Sequence, residues 1–325
     1  MEKLYITKFF INENIKNKKK HINFYKLTFL FILIFIIYYF NFRFKIKKNN
    51  YKLKKINYKL KKSNKNKNKP NIVAISYADK LFHKQLLINK KSAIEFGKVD
   101  KYYSYGPNDI DVIFKNKNKD ILSKKRGNGY WLWKPYFILK TFKEKLAEGD
   151  YLIYTDAGIL YRNSVHIIIN YLKKYNAEMW MFRLKYLEKE YTKRDAFILL
   201  GADLPFYTDS NQYMGGIQIY KKSKFTEKFL EELLYYCQDK RIITDQPNTL
   251  GLKNYKEFIE NRHDQSVLSI LIKKYGQANS GKTNMAFDII RKQKKFMPFI
   301  FCIYRRKKFL DYNDIVNKCT KHRNL

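Results

Sequence analysis

Apolar and polar positions between residues 71 and 276 follow two periods that trade places repeatedly along the chain. Asn71–Ser76, NIVAIS, is a short apolar run of the kind that fills a first buried strand, and Lys84–Phe96 has helical spacing. Lys101–Tyr105 reads as a second strand, closed by the turn Gly106-Pro107-Asn108. Pro135–Leu146 places Phe137, Ile138, Phe142 and Leu146 on one helical face, with Pro135 suited to a first turn. After a turn at Gly149-Asp150 comes the strand Tyr151–Tyr154. Ser164–Tyr175, capped by Ser164, is a further helix, and Ala177–Phe182 the strand after it. Tyr213–Tyr220 reads as a later strand, Lys224–Cys237 as an amphipathic helix and Asp264–Tyr275 as the last helix. Strands alternating with helices predict an α/β domain around a largely parallel sheet. No internal repeat is visible.

Upstream the pattern is different. Leu27–Phe40, LTFLFILIFIIYYF, carries no charge. Extended to residues 22–44 it reaches the length of about 20 residues that a membrane-spanning helix needs, with Lys26 and Arg43 free to snorkel. A signal peptide fits less well, because no small-residue cleavage site follows and the flank is polybasic. The organisation expected is a basic segment over residues 1–21, a single transmembrane anchor over 22–44, a Lys/Asn-rich linker over 45–70, and a folded domain over 71–325. Thirteen Lys and Arg in residues 43–69 against seven Lys in residues 1–26 favour a cytoplasmic domain, with a lumenal one as the alternative. The absence of any Asn-x-Ser/Thr acceptor agrees with the cytoplasmic side.

The formal charge of +38 is unevenly placed. Residues 1–69 hold 20 Lys and Arg against two acids, Glu2 and Glu13, which leaves +20 spread over the much longer remainder. A basic surface of that density attracts anionic lipid or phosphorylated small molecules, and much of it is solvated lysine without a further role. Nucleic acid is not expected as a partner. Cys237, Cys302 and Cys319 match no metal pattern, and a disulfide framework is not expected from them.

Candidate chemistry gathers in four places. Tyr151–Leu160, YLIYTDAGIL, begins as a strand and ends in Thr155-Asp156-Ala157-Gly158. A carboxylate at the carboxyl end of a buried strand sits where open α/β sheets bind ligands, and it must be solvated, paired or bound to a cation. Oxygen ligands at such a place suit Mg²⁺ or Mn²⁺ on a diphosphate, whereas an Asp before a Gly is also a common turn cap. Just upstream lies Arg126-Gly127-Asn128-Gly129-Tyr130-Trp131-Leu132-Trp133-Lys134-Pro135, with two of the three tryptophans. Its glycines allow close backbone approach, Arg126 and Lys134 can neutralise phosphate, and Trp131 and Trp133 can stack on a base or a sugar. Set against this, one Trp belongs to the core and the other to a rim. Gln212-Tyr213-Met214-Gly215-Gly216 precedes a strand, and paired glycines permit a bulge or a close ligand. Asn261-Arg262-His263-Asp264-Gln265-Ser266 opens the last helix. There Asp264 is either a helix cap or a group that orients or deprotonates an acceptor hydroxyl, and His263 is a possible third metal ligand. Because distant loops converge at one sheet edge, Asp264 is expected across a single cleft from Asp156. Asp245-Gln246-Pro247 reads as a turn.

The series RGNGYWLWKP, YTDAG, QYMGG and RHDQSVLS, in that order over residues 71–276, resembles nucleotide-diphospho-sugar transferase-like proteins of the GT-A glycosyltransferase fold. The resemblance implies a GT-A-like Rossmann-type sheet flanked by helices, here preceded by a single transmembrane helix. It implies a membrane-anchored glycosyltransferase of the polysaccharide-biosynthesis kind, moving a sugar from a nucleotide-sugar donor to a glycan or lipid-linked acceptor. Asp156 matches the first Asp of the family's Asp-x-Asp metal turn, but Gly158 stands at the second, so one carboxylate is missing. Asp264 and Gln265 are similar to an Asp-Gln pair near the acceptor and the reacting sugar. Arg126, Trp131, Trp133, Lys134, Asp156, Gly215 and Gly216 are then the donor-binding set, and Mn²⁺ or Mg²⁺ the cofactor. The rival reading is a non-catalytic membrane-tethered module that binds anionic polymer or lipid through its lysines. A third is a phosphohydrolase using the same anion site.

Overall fold

In the computed structural model of the protein, the described residues are 69–278, 300–304 and 311–321. The chain divides between Lys69 and Pro70, and the described elements belong to the part that begins at Pro70. The expected anchor at 22–44 lies outside the described residues. Among those that are described, no helix is long and apolar enough to cross a membrane.

In chain order the main elements are β1 (Ile72–Tyr77), α1 (His83–Glu95), β2 (Lys101–Tyr105), α2 (Trp133–Glu144), β3 (Tyr151–Thr155), β4 (Ile159–Tyr161) and α3 (His166–Lys174). There follow β5 (Met179–Leu187), β6 (Asn211–Lys221), α4 (Lys224–Cys237), α5 (Asp264–Ala278), β7 (Phe301–Ile303) and α6 (Tyr312–Lys321). Five strands form one sheet in the order β2-β1-β3-β6-β5, and β4 pairs with β7 in a separate two-stranded sheet.

Alternation along the strands sends side chains to two cores. Val73, Ile75, Leu152, Tyr154, Met179, Met181 and Tyr220 face α2, α4 and α5, where Phe137, Phe142, Phe229, Leu233, Leu268 and Leu271 meet them. Ile72, Ala74, Tyr151, Ile153, Trp180, Ile217 and Ile219 face the other way, onto Ile168, Ile169 and Leu172 of α3. With both faces covered, β1 and β3 are buried throughout, which is why their sequences are continuous apolar runs.

The sheet is less parallel than the sequence predicts. β1 runs parallel to β2 and β3, but β6 is antiparallel to both β3 and β5. A strand covered on both faces has the same apolar pattern in either direction, so its sense is invisible in the pattern. The helix expected from Ser164 begins at His166, whose N–H donates to Ser164 Oγ at 3.3 Å.

Two features shape the edge where β1 and β3 end. The first is a bulge. Between the pairs Arg183–Tyr213 and Met181–Gln218, β6 advances five residues while β5 advances two. Met214, Gly215 and Gly216 therefore leave the ladder, and their backbone groups need other partners. The second is a tight turn at residues 127–131. Gly127, Asn128, Gly129, Tyr130 and Trp131 all have positive φ, between 51° and 91°. A run of left-handed residues that includes Tyr and Trp is held by its surroundings rather than by preference.

A disulfide joins Cys302 of β7 to Cys319 of α6, a bridge that the sequence does not indicate. Spacing alone does not show that the two come together, because β7 is positioned by its pairing with β4 and α6 by packing Ile315 and Cys319 on Leu160. Cys237 is free and buried.

Candidate active site

Asp156 follows directly on β3. Its N–H donates to the carbonyl of Gly216 at 2.9 Å, one of the groups freed by the β6 bulge. Asn89 of α1, fully buried, secures the same turn from behind. Its amide donates to Thr155 Oγ1 at 2.9 Å, the Asp156 carbonyl at 3.3 Å and the Ile159 carbonyl at 2.6 Å. The Asp156 side chain is thus presented at the strand end and stays partly exposed.

Lys134 is the centre of the site. It sits in the first turn of α2 and is buried, with Nζ 2.9 Å from Asp264 Oδ2 and 3.4 Å from Asp156 Oδ1. Its third contact is the Gly215 carbonyl at 3.5 Å. One ammonium therefore gathers the two carboxylates expected to face each other, from the end of β3 and the start of α5. Burial alone pushes the Lys134 pKa down, but Asp156 and Asp264 outweigh it and hold the ammonium above the ordinary lysine value. Asp264 is buried too, and burial raises its carboxyl to about 6 despite the lysine, with Asp156 adding to the rise. Tyr154 donates to Asp156 Oδ1 at 2.6 Å, and burial, then the Asp156 charge, hold its phenol well above the usual value.

The paired glycines provide room. A Cβ on Gly216 would stand 2.8 Å from Asp156 Oδ2, and one on Gly215 would stand 3.0 Å from Gln265 Cβ and 3.4 Å from Asp264 Oδ2. Neither glycine has a positive φ, so space and not backbone conformation requires them. The freed Gly215 N–H donates to Gln265 Oε1 at 2.9 Å, and the Gly215 carbonyl accepts from Gln218 Nε2 at 2.8 Å. Asp156, Asp264, Gln265, Lys134, Gly215 and Gly216 are therefore one contiguous group.

The other expected members stand around this group. Arg126, expected to face phosphate, has acidic partners within the protein. Its guanidinium is at the rim, paired with Asp245 at 3.0 Å and Glu260 at 3.2 Å, so two carboxylates already match its charge. The Asp245 turn thereby serves as its partner. Trp133 is a core residue, stacked on Tyr77 with centroids 3.8 Å apart, and its Nε1 donates to the Gly127 carbonyl at 2.9 Å. Trp131 remains at the rim, half-buried and stacked on His263 at 5.1 Å.

His263, expected as a possible third metal ligand, has both ring nitrogens engaged within the protein. Its Nδ1 lies 2.7 Å from the Ile243 carbonyl, which can only accept, so Nδ1 carries the proton. Nε2 then accepts from Arg126 Nε at 3.2 Å. Burial lowers the His263 pKa and keeps the ring neutral. The expected Mn²⁺ or Mg²⁺ does not fit the remaining donors. Gly158 offers no side chain, Oδ1 of Asp156 is taken by Tyr154 and Lys134, and Oδ2 of Asp264 is taken by Lys134, which leaves Oδ2 of Asp156 as an open oxygen without a second carboxylate at position 158 to join it. Among the described residues no group of three or more His, Cys, Asp or Glu could hold a metal ion.

Sequence reasoning missed Asn89, Tyr154 and Gln218, whereas the bulge falls where the paired glycines allowed one. The available signal was a glutamine in the middle of an apolar strand: Gln218 pairs in register with Tyr154 across β3 and β6.

No protein-family model and no curated protein sequence matches the chain. Its fold has distant likenesses among solved structures. One is the galactosyltransferase LgtC in complex with donor and acceptor sugar analogs, at 11% identity and a TM-score of 0.39, over 77% of this chain and 94% of that one. An active-site mutant of LgtC gives 12% identity and a TM-score of 0.40, over 77% and 95%. The bifunctional glycosyltransferase WbbM in its apo form gives 12% and 0.40, with 78% of this chain spanning 45% of that one.

Proposed function

We propose that this cleft transfers a sugar from a nucleotide-sugar donor to a hydroxyl of a glycan or lipid-linked acceptor. The observation that carries the reading is the gathering of Asp156 and Asp264 on the buried Lys134, beside a glycine bulge that leaves space above them. In the proposed step the acceptor oxygen bonds to the anomeric carbon and the bond from that carbon to the diphosphate oxygen breaks. The hydroxyl proton passes to Asp264, and the diphosphate leaves with the bonding electron pair. A carboxyl with a pKa of about 6 is ionised at neutral pH and still basic enough for that transfer. Asp156 accepts a hydroxyl of the donor through its open oxygen, and Gln265 contacts the reacting sugar. Lys134 keeps the two carboxylates from repelling each other and holds them in place. No step is assigned to a divalent cation.

The proposed setting is a membrane, held by residues 22–44. The Cys302–Cys319 disulfide favours a lumenal or extracellular domain over a cytoplasmic one, because disulfides persist in oxidising compartments. This weighs against the distribution of Lys and Arg around the anchor.

A thermal-shift screen against nucleotide sugars, with and without Mn²⁺ or Mg²⁺, followed by assay of nucleoside diphosphate release, tests the reading. Stabilisation by a nucleotide sugar and acceptor-dependent release are expected, both lost in Asp156→Asn. Wild-type turnover by Asp156→Asn would reject the assignment. Acceptor-independent cleavage at phosphorus, read as nucleoside monophosphate with sugar phosphate or as inorganic phosphate, would favour a phosphohydrolase, and salt-sensitive polymer binding that ignores Asp156 would favour the non-catalytic module.

A further inference from the structure

Asp264 and Gln265 are neighbours, yet they are held from opposite sides. Lys134 holds Asp264. Gln265 is held by a chain of hydrogen bonds that begins outside the cleft, at the fully buried Glu188 just after β5. Glu188 Oε1 accepts from Lys273 Nζ and Ser269 Oγ, both on α5. Its Oε2 accepts from Thr192 Oγ1 at 3.0 Å and from Gln212 Nε2 at 3.2 Å. Gln212, buried at the start of β6, accepts from Gln265 Nε2 on its own Oε1 at 2.7 Å. Gln265 Oε1 in turn accepts the N–H of Gly215 at 2.9 Å.

The polarity of this chain is set at both ends. A carboxylate can only accept, so Gln212 must turn its NH₂ toward Glu188 and its oxygen toward Gln265. A backbone N–H can only donate, so Gln265 must turn its oxygen toward Gly215 and its NH₂ toward Gln212. Flipping either amide would set oxygen against oxygen or N–H against N–H. Lys273 matches the charge of Glu188, which keeps the starting carboxylate tolerable in the interior.

Resting on the transferase reading above, we infer that Glu188 and Gln212 are positioning residues of the cleft. They fix the amide of Gln265 so that its second N–H is presented to a sugar oxygen, and they couple that amide to the β6 bulge. Neither touches the substrate.

Residue-resolved amide exchange of the full-length protein tests this without any ligand. Gln212→Met keeps length and bulk but removes the hydrogen bonds to Glu188 and Gln265, together with the longer contacts of the amide to the Tyr191 carbonyl at 3.4 Å and to Thr192 Oγ1 and Ser266 Oγ at 3.5 Å. It is expected to speed exchange of the Gly215 N–H by roughly tenfold or more, with Ile217–Tyr220 unchanged. Gln265→Ala is expected to do the same, and the two substitutions combined to add nothing further. Unchanged Gly215 protection in folded Gln212→Met overturns the inference, as does full additivity. Should Gln212→Met fail to fold, Gln212→Asn keeps the chemistry and is too short to span both partners, so the same gain is expected from it and the absence of a gain overturns the inference. In turnover of a nucleotide sugar, Gln212→Met is expected to lower kcat while leaving the donor KM nearly unchanged, and to have no effect in the Gln265→Ala background. If no nucleotide sugar is turned over by the wild type, the transferase reading fails, and the exchange result still decides the role of Gln212.

Discussion

At the scale of single residues, the site depends on one lysine shared by two acids. Replacing Lys134 with Met leaves Asp156 and Asp264 facing each other without a cation. A loss of about 3–5 kcal/mol in unfolding free energy is expected, partly recovered when Asp264→Asn is added. Chemical denaturation of the single and double variants measures this, and additive losses would refute the shared pairing. Asp264 has a testable pH signature. Its folded pKa of about 6 lies above the ordinary carboxylate value of 3.8, so its contribution to stability is present below that ordinary value and lost as pH rises through about 6. Activity runs in the opposite direction, because a base must be ionised. Turnover is expected to rise with pH through about 6, and Asp264→Asn to lose on the order of 10²–10⁴-fold together with that limb of the profile. An Asp264→Asn variant that keeps the limb would assign it elsewhere. That Asp156 and Asp264 lie close together was legible from a strand-end aspartate and a helix-start aspartate. That Lys134 joins them was not, because a lysine beside two tryptophans reads as solvated or phosphate-facing until its long-range neighbours are known.

At the scale of elements, the left-handed turn at 127–131 and the β6 bulge separate residues that look alike in sequence. Trp133 is packed on Tyr77 in the core and Trp131 on His263 at the rim. Trp133→Ala is expected to cost about 3–5 kcal/mol of stability, and Trp131→Ala much less while weakening ligand binding. Thermal unfolding and titration with a nucleotide sugar distinguish the two, and equal losses of stability would contradict the split. In the bulge, Gly216→Ala places a methyl 2.8 Å from Asp156 Oδ2 and is expected to displace that carboxylate. Turnover should fall more steeply than stability. The tryptophans had identical local signals, one residue apart on either side of Leu132, so only the unusual backbone of the turn could sort them.

At the scale of the whole molecule, the last strand and helix are secured by a covalent link. The Cys302–Cys319 bridge spans 17 residues, for which a cross-link contributes about 3 kcal/mol by the chain-entropy account. Reduction is expected to lower the midpoint of denaturation by a corresponding amount, and a Cys319→Ser variant to be insensitive to reductant. Equal stability with and without reductant would argue that α6 is held by packing alone. The same bridge makes orientation testable: a domain on the oxidising side is expected to carry no modifiable thiol at these positions in intact cells. Residues 22–44 are expected to retain full-length protein in membranes through carbonate washing, while a chain beginning at Pro70 stays in solution.

The amino-acid sequence by itself determined the alternation of strands and helices, since hydrophobic periodicity is a local property that survives into the folded state. It also placed an aspartate at the end of β3, a glycine pair in β6 and an Asp-Gln at the start of α5. Only the tertiary structure decided which charges meet. Lys134 reaches Asp156 and Asp264, Arg126 is matched by Asp245 and Glu260, and the Glu188–Lys273 pair reaches Gln265 through Gln212. These partners are far apart along the chain, and a pairing that depends on three-dimensional distance leaves no period in the sequence. The sense of β6 was decided in the same way, because burial on both faces dictates the residues of a strand but not its direction.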